Sequence, residues 1–214
     1  MTGHFGPKRG GYYLRNLQNT VYYVRNGKQV ARKLGKIEKP ATPAQQTCRQ
    51  RLKVLSVFFK PVKAFINAGF AKLVAGTAAF PYNAAVKYNL QQATVGAYPD
   101  VKLNYAKIVL SKGNLLPASN LLLNKEVDGL RFTWENTGMD YQDRYHGVMV
   151  LVYFPEGPEA LCMLNAGQRQ EGTVFLALDA LRLQKELHCY LAFISEDRYE
   201  VSNSQYVGFM EEIN

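Results

Sequence analysis

The chain has 214 residues, 47% of them hydrophobic, and a formal net charge of +9, enough to bury a core as one large domain or two small ones. Three cysteines (Cys48, Cys162, Cys189), with no CxxC and no histidine pair at metal spacing, exclude a disulfide framework and leave open only a Cys162–Cys189 bridge. No apolar run is long enough to span a bilayer, and residues 1–9 lack the hydrophobic segment of a secretory signal, so a soluble cytoplasmic protein, or one loaded into an assembly made there, is expected.

The charge is segregated. Residues 1–63 hold fourteen Lys/Arg against one acid, Glu38, a net +13, whereas residues 106–214 hold nine against fifteen, a net −6. Such asymmetry points to a polyanion-facing arm or to head-to-tail association between opposite ends.

The first eleven residues are rich in glycine and read as a flexible lead-in. A short repeat follows, YYLRN from Tyr12 and YYVRN from Tyr22. Asn26-Gly27 is the preferred pair for a two-residue type I′ turn, which predicts a hairpin of Thr20–Arg25 with Lys28–Lys33. That register puts Val21, Tyr23 and Arg25 on one face with Lys28, Val30 and Arg32. Arg25 then lies across from Lys28, a like-charge pair that an anion between them would relieve.

Thr42-Pro43-Ala44-Gln45 is a helix start, with a capping threonine and proline at the first helical position. The helix should reach Phe59 and be stopped by Pro61, with Ala44, Cys48, Leu52, Leu55 and Phe59 on one stripe. So wide an apolar girth predicts a mostly buried helix with a thin basic edge of Arg49, Lys53 and Lys60. Further helices are expected over 62–75 and, starting after Pro81, up to 94.

From about residue 105 the pattern changes to short strands near 106–111, 130–135, 148–154, 160–164, 173–178, 188–195 and 201–207, separated by turn residues such as Asp128-Gly129. The predicted fold class is α+β: an N-terminal β-hairpin and short helices (1–104) followed by a C-terminal antiparallel β-sandwich (105–214). Trp134 and Tyr190, in the second and sixth of these strands, sharpen the sandwich to a fibronectin type III-like or immunoglobulin-like one.

Several segments carry a resemblance: the hairpin VYYVRNGKQVAR, KPATPAQQTCRQR at 39–51, AAVKYNLQQATVGAYPDVKLNYAKIVLSKGNL at 84–115 and YLAFISEDRYEVSNSQYVG at 190–208. In that order they resemble an uncharacterised family from Bacteroidota, a domain of unknown function, over most of the chain. That family's usual start has a Ser-Gly-Lys-Val-Gly-like segment where this chain has Leu14 to Asn19. The resemblance supports the layout and implies no activity, cofactor or partner.

No catalytic set is expected. His4 lies in the lead-in, His146 in a loop beside Asp140 and Asp143, and His188 next to Cys189, whose alternation with Leu191 and Phe193 makes it core packing. Asp140, Asp143, Glu156 and Glu159 read as solvated loop acids without Ca²⁺-loop spacing. The expected function is that of a non-enzymatic structural or interaction protein without cofactor or metal, its partner a protein, this chain itself or another. The anion- or partner-binding surface would comprise Arg15, Arg25, Lys28, Arg32, Lys33, Lys36, Arg49 and Lys53 with Tyr13 and Tyr23. The alternative is a nucleic-acid-binding module in which these cations contact phosphates, or another polyanion, and the tyrosines stack on bases.

Overall fold

The computed structural model describes residues 16–17, 20–25, 27–36, 39–136 and 140–210. It divides into two compact units, residues 1–42 and 43–214. The boundary expected at 104/105 falls inside the second unit.

The first unit is a three-stranded antiparallel sheet, ordered β1 (Asn16–Leu17), β2 (Thr20–Arg25), β3 (Lys28–Lys33). The hairpin has the register that Asn26-Gly27 predicts, from Thr20 opposite Lys33 to Arg25 opposite Lys28. Gly27 sits at φ +75°, the left-handed region that this turn demands.

The second unit is a mixture of helices and antiparallel sheets. It starts with α1 (Pro43–Phe59), α2 (Lys63–Gly69), α3 (Ala71–Val74) and α4 (Pro81–Gln92), then a two-stranded ribbon of β4 (Thr94–Val95) and β5 (Lys102–Leu103). The strands β6 (Ser119–Glu126), β7 (Gly129–Glu135), β8 (Gly147–Phe154), β9 (Glu159–Met163) and β10 (Thr173–Ala177) follow. A short helix, α5 (Ala180–Leu183), leads to β11 (Leu187–Ile194) and β12 (Gln205–Met210). One sheet is ordered β10-β7-β6, the other β12-β11-β8-β9, and the chain crosses between them three times.

Strands β8 and β11 occupy the middle of the larger sheet and are buried on both faces, which is why GVMVLVYF and LHCYLAFI read as almost unbroken apolar runs. Alternation sends Val148, Val150, Val152, Cys189, Leu191 and Phe193 into one core with Leu130, Phe132 and Trp134 of β7 and Val174 and Leu176 of β10. It sends Met149, Leu151, Tyr153, Tyr190, Ala192 and Ile194 into a second core with Leu55, Phe58 and Phe59 of α1 and Phe65 and Ile66 of α2. The sheet is thus a wall shared by two apolar layers, and Trp134 and Tyr190 lie in different ones.

The differences from expectation have local causes. Only Leu55, Phe58 and Phe59 of α1 are buried; Ala44, Cys48 and Leu52 are exposed, because only the end of the helix meets the sheet layer. The helix expected over 62–75 breaks at Phe70. A Cβ on Gly69 would lie 2.3 Å from Leu110 O, so the chain there is in backbone-to-backbone contact with 110–112, and Gly69 O accepts from Lys112 N at 2.9 Å. No strand forms over 106–111, where a 3-10 turn (Tyr105–Lys107) leads into an extended segment. Strand β6 lies outside the expected strands, and its leucine run Leu121 to Leu123 does not alternate with polar residues. Strand β12 starts late: Val201 bridges Ile194 of β11 and Ser202 N donates to Phe193 O, but Ser202 O and Ser204 turn to Leu110 and Ser111.

That extended segment is held by side chains from two distant stretches. Asn89, fully buried on α4, donates to Val109 O at 2.8 Å and accepts from Val109 N at 2.8 Å. Ser204 Oγ accepts from Leu110 N at 2.8 Å, and Ser111 Oγ donates to Ser202 O at 2.8 Å. Gln205 brackets Ala118, accepting from its N and donating to its O. The three stretches 84–92, 105–118 and 201–205 therefore meet through side-chain-to-backbone bonds, joined by the backbone bonds Leu115 N to Val201 O and Ser204 N to Ser111 O, without forming a continuous ladder.

Asn89→Ala leaves the partly buried N–H and C=O of Val109 without partners and is expected to cost about 1–3 kcal/mol. This appears as a lower urea midpoint at unchanged slope, while Leu122→Asn, at a position 61% exposed, shifts stability by less than about 0.5 kcal/mol. Equal midpoints for Asn89→Ala and the parent chain would show that the clip is not what fixes the segment.

Candidate functional site

The basic surface read from the sequence is partly assembled by the hairpin. Arg25, Lys28 and Arg32 are exposed on the face that also carries the half-buried, directly paired Tyr23 and Val30. Lys33 is exposed on the opposite face, beside Tyr22 and Ala31, and Lys36 is exposed beyond the strand. Tyr13 and Arg15 lie outside the described residues. The described residues of this unit carry five cations between 20 and 36 and no acid. Strand β3 is the edge of its sheet, and charged side chains on an edge also discourage indiscriminate strand pairing.

Arg49 and Lys53 belong to the second unit and are exposed on α1. Lys53 lines a cavity of about 460 Å³ with Lys102, Tyr105, Tyr153 and Glu186. Below that cavity sits an aromatic cluster that the sequence did not mark as a site. His188 shares its face of β11 with Tyr190, stacks on Tyr105 at 3.7 Å between ring centroids, and lies with Nδ1 3.0 Å from the Tyr206 hydroxyl. Tyr190 donates its hydroxyl to Tyr105 O at 2.9 Å. Burial raises the pKa of Tyr105, Tyr153, Tyr190 and Tyr206, so these hydroxyls stay neutral. The alternation from Tyr190 back to His188 was the available signal.

Cys189, expected to be core packing, is fully buried, its thiol pushed up by desolvation, and all three cysteines are free. Cys162 packs against the helical layer, on the other side of the wall from Cys189, which places the two on opposite faces of one sheet. Asp140, Glu156 and Glu159 are exposed, and Asp143 is half-buried with Oδ1 3.5 Å from His146 Nδ1. Burial lowers the His146 pKa against the opposing pull of Asp143. Among the described residues, no three His, Cys, Asp or Glu side chains converge as a metal site.

Burial pushes His188 down to about 4 from its ordinary 6.5. The unfolded chain therefore binds the proton first, so this histidine's burial leaves stability intact above about pH 6.5 and erodes it as pH falls toward 4. Urea midpoints at about pH 7.5 and about pH 4.5 should fall less between the two for His188→Gln than for the parent chain. The same drop in both would mean that the ring is not held neutral.

No curated protein and no solved structure matches the chain. Residues 13–208, which span the hairpin, the clip of Asn89, Ser111 and Ser204 and both sheets, match a family of unknown function, DUF6266, and the chain belongs to that family.

Proposed function

We propose that this chain is a non-enzymatic interaction protein that self-associates through the basic face of its hairpin. The observation that carries the reading is the composition of that small sheet: Arg25, Lys28, Arg32, Lys33 and Lys36 are all exposed, with no acid among its described residues. A sheet of one two-residue and two six-residue strands is marginal by itself, and its half-buried Tyr23, Val24 and Val30 favour a docked state. Arg25 opposite Lys28 stores a like-charge repulsion that a carboxylate from a neighbour relieves. We further infer that the two larger sheets form a fibronectin type III-like sandwich, a scaffold common among interaction modules. The three-plus-four strand order and the apolar cluster common to both sheets support this, and the analogy concerns fold alone.

A second reading, single-strand nucleic-acid binding, is favoured by Tyr22, which is 45% exposed on the strand that bears Arg25. The two readings separate in solution. Self-association of the full chain in sedimentation velocity should weaken between about 50 and about 200 mM salt. Arg25→Ala with Arg32→Ala should lower the association constant by about three- to tenfold. A strict monomer at high concentration, with no co-purifying protein, contradicts self-docking. Tight single-stranded DNA binding whose salt slope flattens in the same double variant would transfer the hairpin to the second reading.

A further inference from the structure

Two loops some fifty residues apart in sequence, 140–146 ahead of β8 and 195–200 after β11, wall a cavity of about 780 Å³. Its polar lining consists largely of acceptors. Asp143, Glu196, Asp197 and Glu200 bring carboxylates, and Tyr141 and Tyr145 bring rings set edge-to-face at 5.5 Å, their hydroxyls 3.1 Å apart. Four cations lie nearby, and two of them, Arg144 and Arg198, are exposed residues of the loops themselves. Of the others, Lys72 ion-pairs with Glu200, and Arg169 is buried over the Phe193 ring and donates to Leu116 O. Neither has an ion pair with Glu196 or Asp197 among the described residues.

Acidic loops are common on surfaces, and the buried atoms of this wall distinguish it. His146 lines the cavity at 7% exposure, and its Nδ1, 3.5 Å from Asp143 Oδ1, makes no hydrogen bond. Glu200 Oε2 is likewise buried without one. Buried polar atoms in folded proteins are almost always hydrogen-bonded, so the free carboxylate oxygen of Glu200, which can only accept, marks a place that lacks a donor.

We propose that this cavity binds an arginine side chain presented by a protein segment. A guanidinium is permanently charged, carries five N–H donors and no acceptor, meets carboxylates two bonds at a time and stacks on aromatic faces. Each property answers a feature of the wall: the carboxylates, the unpartnered Glu200 Oε2 and the 70% exposed ring of Tyr141. An ammonium ion matches the charge but neither the planarity nor the stacking. An anion meets four carboxylates on the wall. The cavity is larger than one side chain, and Leu115 offers an apolar wall to the residues flanking the arginine. The inference concerns residues of the second unit alone and does not rest on the hairpin.

The test is an NMR titration of the full chain with three five-residue glycine peptides, blocked at both ends, whose central residue is arginine, its neutral isostere citrulline, or lysine. The arginine peptide should shift the resonances of Tyr141, Tyr145 and His146 saturably. Lysine should bind several-fold more weakly, and citrulline should leave them unmoved. Asp143→Asn with Asp197→Asn should weaken arginine binding at least about tenfold, the loss of two charge-assisted contacts. Tyr141→Leu, at an exposed position, should weaken it several-fold with an unchanged urea midpoint. Equal binding of arginine and citrulline peptides, equal binding of arginine and lysine peptides, or full affinity in Tyr141→Leu would overturn the assignment.

Discussion

The second unit depends on one constraint: the pair β8–β11 must be covered on both faces. Seven consecutive registered pairs join the two strands, from His188 opposite Tyr153 to Ile194 opposite Gly147, and nearly every side chain between them is buried. A sheet exposed on one side would alternate apolar and polar residues; this one does not, so it needs a second sheet against one face and helices against the other. The helices therefore share a core with the strands, and residues 43–92 cannot be separated from the sheet without exposing Phe58, Phe65 and Tyr190 together.

The wall also explains the polar clip. Once helices lie on one face, the segment from 105 to 118 passes α4 and the turn that follows β11 with isolated backbone bonds, such as Leu115 N to Val201 O and Ser204 N to Ser111 O, in place of a continuous ladder. Side chains of Asn89, Ser111, Ser204 and Gln205 add the further bonds. Tyr105, positioned by that segment, covers His188 and keeps it dry. Buried polar groups of this kind specify one arrangement because any slip leaves several of them unpaired.

Much of this was legible in the sequence. Asn26-Gly27 fixed the hairpin register, and the turn residues located β7 to β11 to within a residue or two. Cys189, Leu191 and Phe193 were read as one core face, which they are. Other features were not legible, for identifiable reasons. The apolar stripe of α1 implied burial of Cys48 and Leu52, because periodicity reports an amphipathic face and not how far along the helix its cover extends. The leucine run of β6 hid its alternation. The boundary at 104/105 followed the change from helical to strand pattern, whereas compactness follows the shared core, which no local pattern encodes. The wall of Tyr141, Asp143, His146 and Asp197 is made by two loops that only the strand order brings together, so single-loop reasoning saw nothing but solvated acids.

On the proposed reading, the fold and the contact are separate tasks: residues 43–214 supply a doubly covered wall, and the hairpin supplies a cationic face for docking. Amide hydrogen exchange on the full chain, followed over a concentration series at low and then higher salt, tests this division most directly. The account predicts that amides of 20–33 gain protection as concentration rises and lose it as salt is added, while β8 and β11 remain the most protected throughout. Hairpin protection that is independent of both concentration and salt, or β8 and β11 exchanging as fast as the hairpin, would contradict it.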